Sequence, residues 1–367
     1  MIRRLSVKNY RSLVDFTWEP GPESLVLGAN GSGKSTAIDA LNLIRNFACG
    51  WESLQNLFDA DDVTMWAQGE IVSFELDLQA GGSPYRYKVA FEWSKHDRAL
   101  AVVNEELHRG NYPVFVRQLE IVSTREGETW AGGPYAPSNQ SVLAPMHASP
   151  EAGRVDDVFA ALERMIVVRP VPPLMRVEAR QLTGRPELQF ENFVAWYWAL
   201  SGNSRVSQPL SEMLRGVWPE FDSVLLSPLG HAMVLSVWFG RSDGPKKAAT
   251  LEFQQLSDGE QMLIALYSLA AYQQVTEPTT IIIDEPDNFV SSAELQPWLL
   301  KMLDDRPDGG QIILVSHNPE IIDTMGESRV DYFERADHMS TTRVRKIPPD
   351  DTGLSLSERI TRGWVGE

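Results

Sequence analysis

The chain has a single cysteine, Cys49, in 367 residues. One thiol excludes an internal disulfide and a cysteine-based metal cluster. No apolar run approaches the roughly 20 residues needed to span a bilayer, so no membrane partner is expected. Met1-Ile2-Arg3-Arg4-Leu5-Ser6-Val7-Lys8 is basic, yet no signal-peptide apolar stretch follows it. Internal repeats, sustained heptads and low-complexity tracts are missing, which excludes a coiled-coil arm and a solenoid. Positive charge is scarce, with 33 Lys and Arg against 50 Asp and Glu, a net charge of −17. That balance argues against a surface broadly adhesive to nucleic acid. A cytoplasmic location is expected.

What is present is ordinary globular material, 43% apolar and 23% charged, enough for one large or two modest domains. Two basic clusters stand out. Arg3, Arg4, Lys8 and Arg11 lie near the start, and Arg169, Arg176, Arg180 and Arg185 lie in the middle. Each reads either as solvated surface or as a local basic groove.

Gly28-Ala29-Asn30-Gly31-Ser32-Gly33-Lys34-Ser35-Thr36 contains G-x-x-x-x-G-K-S, a phosphate-binding loop. Glycines let successive backbone N–H groups converge on one concavity. A following helix adds partial positive charge at its N-terminus. Leu25-Val26-Leu27 predicts the strand before the loop, and apolar residues at 37, 38, 41 and 44 predict the helix after it. Lys34 is the candidate for the β- and γ-phosphates of ATP, and Ser35 for Mg²⁺.

Leu256-Ser257-Asp258-Gly259-Glu260 opens a second apolar helix. The S-x-x-E spacing is a capping box, and a Ser beside a Gly at a helix start also suits a γ-phosphate. Thr280-Ile281-Ile282-Ile283-Asp284-Glu285 predicts a buried parallel strand ending in two carboxylates. Asp284 fits a Mg²⁺ partner and Glu285 the group that activates water. Gln311 to Ser316-His317 predicts another such strand, with His317 standing 33 positions after Asp284.

Between these motifs the pattern changes. Residues 70–118 alternate with period two and predict antiparallel strands around a turn at Gly81-Gly82-Ser83-Pro84. Residues 125–153, rich in Gly, Pro, Ser and Ala, predict a long loop. Residues 155–217 predict helices, with Phe190, Phe193, Val194, Trp196 and Tyr197 as a core stripe. Residues 222–256 predict strands again, and α/β alternation follows from 257. The expected division is a discontinuous head of 1–124 and 222–345, an inserted loop and helical subdomain of 125–221, and a tail of 346–367.

Taken in order, these residues resemble the ABC-type ATPases of the SMC/RecF class, especially compact bacterial AAA-family ATPases related to the ATPase part of OLD-family proteins. The resemblance covers roughly 1–47 and 250–345. It implies an α/β fold: a P-loop NTPase head of the ABC type, with an antiparallel β-subdomain and an inserted helical lid. It implies that Asn30, Gly31, Ser32, Gly33, Lys34, Ser35, Thr36 and Arg11 bind nucleotide, and that Ser35 and Asp284 hold magnesium. It makes Glu285 and His317 catalytic, Asp287 the start of a D-loop, and Ser257, Asp258, Gly259 and Glu260 a signature loop acting on a second copy's ATP. A homodimer closed around ATP and Mg²⁺ is thereby implied. A separately encoded effector in bacterial antiviral defence is implied as the partner, since the chain stops soon after His317. A glutamine for the Q-loop has only Gln68 and Gln118 as candidates. Ser291-Ser292 replace the class's usual His-Pro. A RecF-like ATPase that binds DNA directly, and a nucleotide-gated scaffold with little turnover, remain open alternatives.

Overall fold

The computed structural model describes residues 1–66, 71–94, 99–126, 129–132, 136–149, 152–240, 249–348 and 353–365. The chain divides into two compact units. One comprises 1–165, 327–352 and 363–367, the other 166–326 and 353–362. Composition led to different boundaries, because it registers changes of pattern rather than which segments pack together.

The first unit opens with β1 (Ile2–Tyr10), β2 (Leu13–Trp18), β3 (Glu23–Leu27) and α1 (Lys34–Ala48). A short α2 (Leu54–Leu57) follows, then β4 (Ile71–Ala80), β5 (Ser83–Ser94), β6 (Ala99–Arg109), β7 (Tyr112–Gln118), β8 (Ile121–Glu126) and β9 (Thr129–Gly132). These strands, β3 apart, form one antiparallel sheet in the order β2-β1-β4-β5-β6-β7-β8-β9. The period-two pattern explains its sidedness. In β4 the buried residues are Val72, Phe74, Leu76, Leu78 and Ala80, every second one. Phe74 and Phe91 pack at 5.8 Å between ring centroids, and Phe47 of α1 meets Phe91 at 5.2 Å. The α/β layer and the sheet thus share one aromatic core.

The segment 125–153 is not one long loop. Thr129–Gly132 pairs with β8, and α3 (Leu143–His147) lies further on. A hairpin edge needs only backbone partners, so the small-residue composition hides it. After α4 (Asp156–Arg164) the chain enters the second unit.

One buried ion pair fastens this region. Arg117 and Glu105 each have fully buried side chains 3.3 Å apart. Glu105 accepts from Tyr87 Oη at 2.8 Å and from Ser141 Oγ at 2.6 Å. Arg117 donates to the carbonyls of Leu119 and Pro137, each at 2.6 Å. Burial pushes the Glu105 carboxyl above its usual range despite those bonds. Replacing one partner strands the other charge, so Glu105→Ala is expected to cost about 3–5 kcal/mol. A drop in the urea midpoint checks this, and an unchanged midpoint refutes it.

The second unit begins with β10 (Ile166–Val168) and β11 (Glu178–Ala179), then α5 (Phe193–Ser201) and α6 (Ser204–Val217). Next come β12 (Phe221–Leu229), β13 (Ala232–Phe239), β14 (Ala249–Glu252), α7 (Asp258–Val275), β15 (Thr280–Asp284), α8 (Ser292–Asp304), β16 (Gln311–Val315) and α9 (Pro319–Met325). Two features depart from the helical reading of 155–217. Ile166-Val167-Val168 is a strand, paired in parallel with Ile281-Ile282-Ile283 of β15. Three β-branched residues before Arg-Pro fit an extended segment better than a helix. Glu178–Ala179 is also a strand, β11, paired antiparallel with β13, whereas the strands expected over 222–256 are present as β12, β13 and β14, beside α5 and α6. The aromatic stripe is core as expected: Phe190, Phe193 and Trp196 are fully buried.

Strands β15 and β16 pair in parallel and every residue of both is buried. Such strands read as continuous apolar runs, as these do. The chain then returns to the first unit with β17 (Val330–Glu334) and β18 (Arg343–Lys346). β17 pairs in parallel with β3 and antiparallel with β18. A last helix, α10 (Leu356–Thr361), is tied to α9 by Ser357 Oγ donating to Asp323 at 2.6 Å. Among the described residues, no helix is long and apolar enough to cross a membrane.

Candidate nucleotide site

In the first unit, β3 runs buried into Gly28 and the loop ends at Gly33, which caps α1 in the left-handed region at φ 100°. Gly33 is required twice over. Its φ is one that L side chains rarely adopt, and a Cβ there would lie 2.2 Å from Thr342 Oγ1. No side chain caps α1, and an uncapped helix N-terminus after a glycine-rich loop is a place where phosphate settles. Lys34 is buried, and its Nζ donates to the carbonyls of Gly28 at 2.7 Å and Ala29 at 3.0 Å. Its ammonium therefore folds back over the loop. Asn30, Gly31 and Ser35 are exposed, Thr36 is half-buried, and Ser32 is buried within the turn.

The segment joining β17 to β18 supports the loop from outside. Arg335 Nη1 donates to Gly31 O at 2.9 Å, and its other nitrogens donate to Ser340 O at 2.8 Å and His338 O at 2.7 Å. The guanidinium lies 5.7 Å from the Trp66 ring centroid, a cation–π distance. Sequence reasoning missed Arg335, because no motif marks a residue that follows the loop by some 300 positions. Arg11 stands in the same unit, gripped by Asp39 of α1 and by Asp62, each at 2.6 Å.

The second unit carries the other candidates. The Ser257 hydroxyl accepts from the Glu260 amide at 3.3 Å, and the Glu260 carboxylate accepts from the Ser257 amide at 2.7 Å. The capping box is thus formed. Ser257 and Asp258 are exposed, and Gly259 and Glu260 are half-buried. A Cβ on Gly259 would lie 2.7 Å from the Phe289 carbonyl oxygen. Glycine therefore lets the first turn of α7 pack against the segment that follows β15.

Asp284 ends β15 with its side chain only 1% exposed. Glu285 follows, exposed, with φ 56°. A non-glycine residue in that region stores roughly 1–3 kcal/mol of strain, and such residues gather at functional sites. The Glu285 amide donates to Val315 O at 2.8 Å, and its carboxylate accepts from Asn288 Nδ2 at 2.7 Å. Asp287 accepts from Ser316 Oγ at 2.6 Å, joining the ends of β15 and β16, and His317 is exposed beside it. The unit thus brings Asp284, Glu285, Asp287 and His317 to the carboxyl edge of two parallel strands, where α/β sheets take ligands.

Three of the four arginines of the middle cluster lie beside acids. Arg169 Nε donates to Asp284 Oδ2 at 2.7 Å, and Nη2 lies 2.6 Å from the same oxygen. Arg176 pairs with Glu187 at 2.6 Å and Arg180 with Glu178 at 3.7 Å. Near the start, Arg4 pairs with Glu75 and with Asp77. Of the glutamines considered for the Q-loop, Gln118 is exposed at the end of β7, paired with Ile121 in the antiparallel sheet. Gln68 lies outside the described residues.

Residues 205–323 match the family model described as "AAA domain, putative AbiEii toxin, Type IV TA system". A stretch of 56 residues is 39% identical to the OLD nuclease of Thermus scotoductus. It spans 15% of this chain and 10% of that nuclease. The whole chain is similar in fold to SMC head domains. An Smc head bound to the C-terminal winged-helix domain of ScpA superposes with a TM-score of 0.57 at 14% identity, over 97% of this chain and 99% of that one. An Smc head with an extended coiled coil, bound to the C-terminal domain of ScpA, from Pyrococcus furiosus, gives 0.53 at 12% identity, over 98% of each chain. The fold is mixed α/β with antiparallel sheets, of the P-loop NTPase type found in SMC heads.

Proposed function

We propose that this chain binds and hydrolyses ATP, closes as a homodimer around two ATP molecules, and so controls a partner protein. One observation carries the reading furthest. The G-x-x-x-x-G-K-S segment is curled at the uncapped start of α1, with the Lys34 ammonium held inside it. That is a cradle for phosphate with its cation stored against the loop's own carbonyls.

The chemistry divides among named residues. Lys34 moves from the carbonyls of Gly28 and Ala29 to the β- and γ-phosphates. Ser35 in the first unit and Asp284 in the second are the candidate magnesium donors, since a hydroxyl and a carboxylate are the hard oxygen donors that this ion takes beside phosphate and water. Magnesium would supply charge neutralisation on the phosphates. Glu285 orients and deprotonates the attacking water. His317 donates a hydrogen bond to the γ-phosphate and senses its loss. Ser257 and the α7 N-terminus meet the γ-phosphate bound to the other copy. Arg11 approaches the nucleotide by leaving Asp39 or Asp62.

The partner is a separately encoded effector in bacterial defence, and the protein acts in the cytoplasm. The matched family description, which names a toxin–antitoxin system, and the matched OLD nuclease support this reading. An Smc head carries a winged-helix domain of ScpA, a precedent for partner docking on this fold. The net charge of −17 favours this reading over direct capture of DNA.

ATP binding by wild type and Lys34→Ala tests the premise. Loss of one charged hydrogen-bonding group is expected to weaken ATP by about 10- to 100-fold. Equal affinities in a fluorescent-nucleotide titration would remove the phosphate cradle from the reading.

A further inference from the structure

The register of β10 on β15 pairs Val168 with Ile283. The next residue on each strand is then Arg169 beside Asp284. The acid is almost wholly buried, and the guanidinium reaches its Oδ2 through two nitrogens, at 2.7 and 2.6 Å. A buried carboxylate is tolerated when it is paired, and Arg169 provides that pairing.

We propose that Arg169 is a positioning residue that competes with a divalent cation for the Asp284 carboxylate and yields it when that cation binds with ATP. The inference rests on the ATPase reading above. Arg169 sits on Oδ2, so a dication on either oxygen of Asp284 would lie within a few ångströms of the guanidinium and repel it. Asp284 therefore exchanges one cation for another, and stays paired in both states. Arginine suits this task because its planar fork grips a carboxylate through two nitrogens and it never loses its charge.

Release has a route outward. The Arg169 amide donates to Leu188 O at 2.6 Å, Val171 to Gln189 O at 3.1 Å and Arg176 to Glu191 O at 2.8 Å. The strand end is thus laced to the segment that leads, through Asn192, into α5. Freeing the Arg169 side chain removes the side-chain tie between this segment and β15, while the backbone pairing of β10 with β15 stays. Metal binding then loosens the root of α5 and α6.

Manganese titration of the full chain with a non-hydrolysable ATP analogue tests this, with free Mn²⁺ read by electron paramagnetic resonance. Arg169→Ala removes the competitor, so half-saturation is expected at about threefold lower Mn²⁺ or less. Analogue binding in EDTA should stay within about twofold of wild type, because only the metal competes with Arg169. Arg169→Lys keeps the charge but loses the fork, and should shift half-saturation in the same direction by less. It decides the matter if the alanine variant does not fold. An unchanged or higher half-saturation point in the variants overturns the proposal. In wild type, hydrogen exchange at the amides of 169, 171 and 176 should quicken when Mn²⁺ and analogue are added together. No change there overturns the release. No analogue-dependent Mn²⁺ uptake by wild type overturns the ATPase reading itself, a failure distinct from the others.

Discussion

Glu285→Gln is expected to lower steady-state ATP turnover by about 10²–10⁴-fold, the usual contribution of a positioned general base. Nucleotide affinity should change little. The substitution is close to isosteric, and its side-chain carbonyl can still accept from Asn288 Nδ2, now 2.7 Å from the carboxylate. The backbone at φ 56° and the amide bond to Val315 O do not depend on the side chain. What is lost is the capacity to take a proton from water. Phosphate release by wild type and variant decides between two classes of function. A wild type with no turnover for the variant to lose would leave a nucleotide-gated scaffold, and the enzyme reading would fall.

The local elements that carry the candidate residues were largely legible in the sequence, and the reason is local. A phosphate loop, a capping box and a β-branched strand ending in carboxylates are each built within ten residues, so their chemistry is written contiguously. β1, β2, β15 and β16 were legible for a related reason, since each carries a clean alternating or continuous apolar pattern. What was hidden depended on pairing across distance. Ile166-Val167-Val168 looks like one turn of an apolar helix face until β15, more than 100 residues later, is laid beside it. Arg169 looked like one of four surface arginines for the same reason. Its partner Asp284 is fixed by strand register, which no local pattern encodes. Arg335 escaped notice because it supports the phosphate loop through backbone carbonyls, a role that leaves no motif.

Ser257→Arg is expected to abolish ATP-dependent dimerisation while one head still binds ATP. The argument turns on symmetry. In a two-fold dimer each interface interaction occurs twice, and a hydrogen bond to a charged phosphate contributes about 1.5–3 kcal/mol. Losing the Ser257 hydroxyl at both sites alone would weaken the dimer by about 10²–10⁴-fold. The arginine side chain adds bulk where a phosphate must sit against the start of α7. Misfolding is a poor alternative explanation, because the capping box contributes only about 1 kcal/mol to a helix that is held by burial. In α7 every residue from Gln261 to Ala271 is buried. Ser257→Ala, which loses the same cap, serves as the control for stability. Sizing in a Glu285→Gln background with Mg²⁺ and ATP keeps hydrolysis from dissolving the dimer during the run. A dimer peak that survives Ser257→Arg would mean that the loop before α7 is only a helix cap. The γ-phosphate would then be bound by residues of one copy.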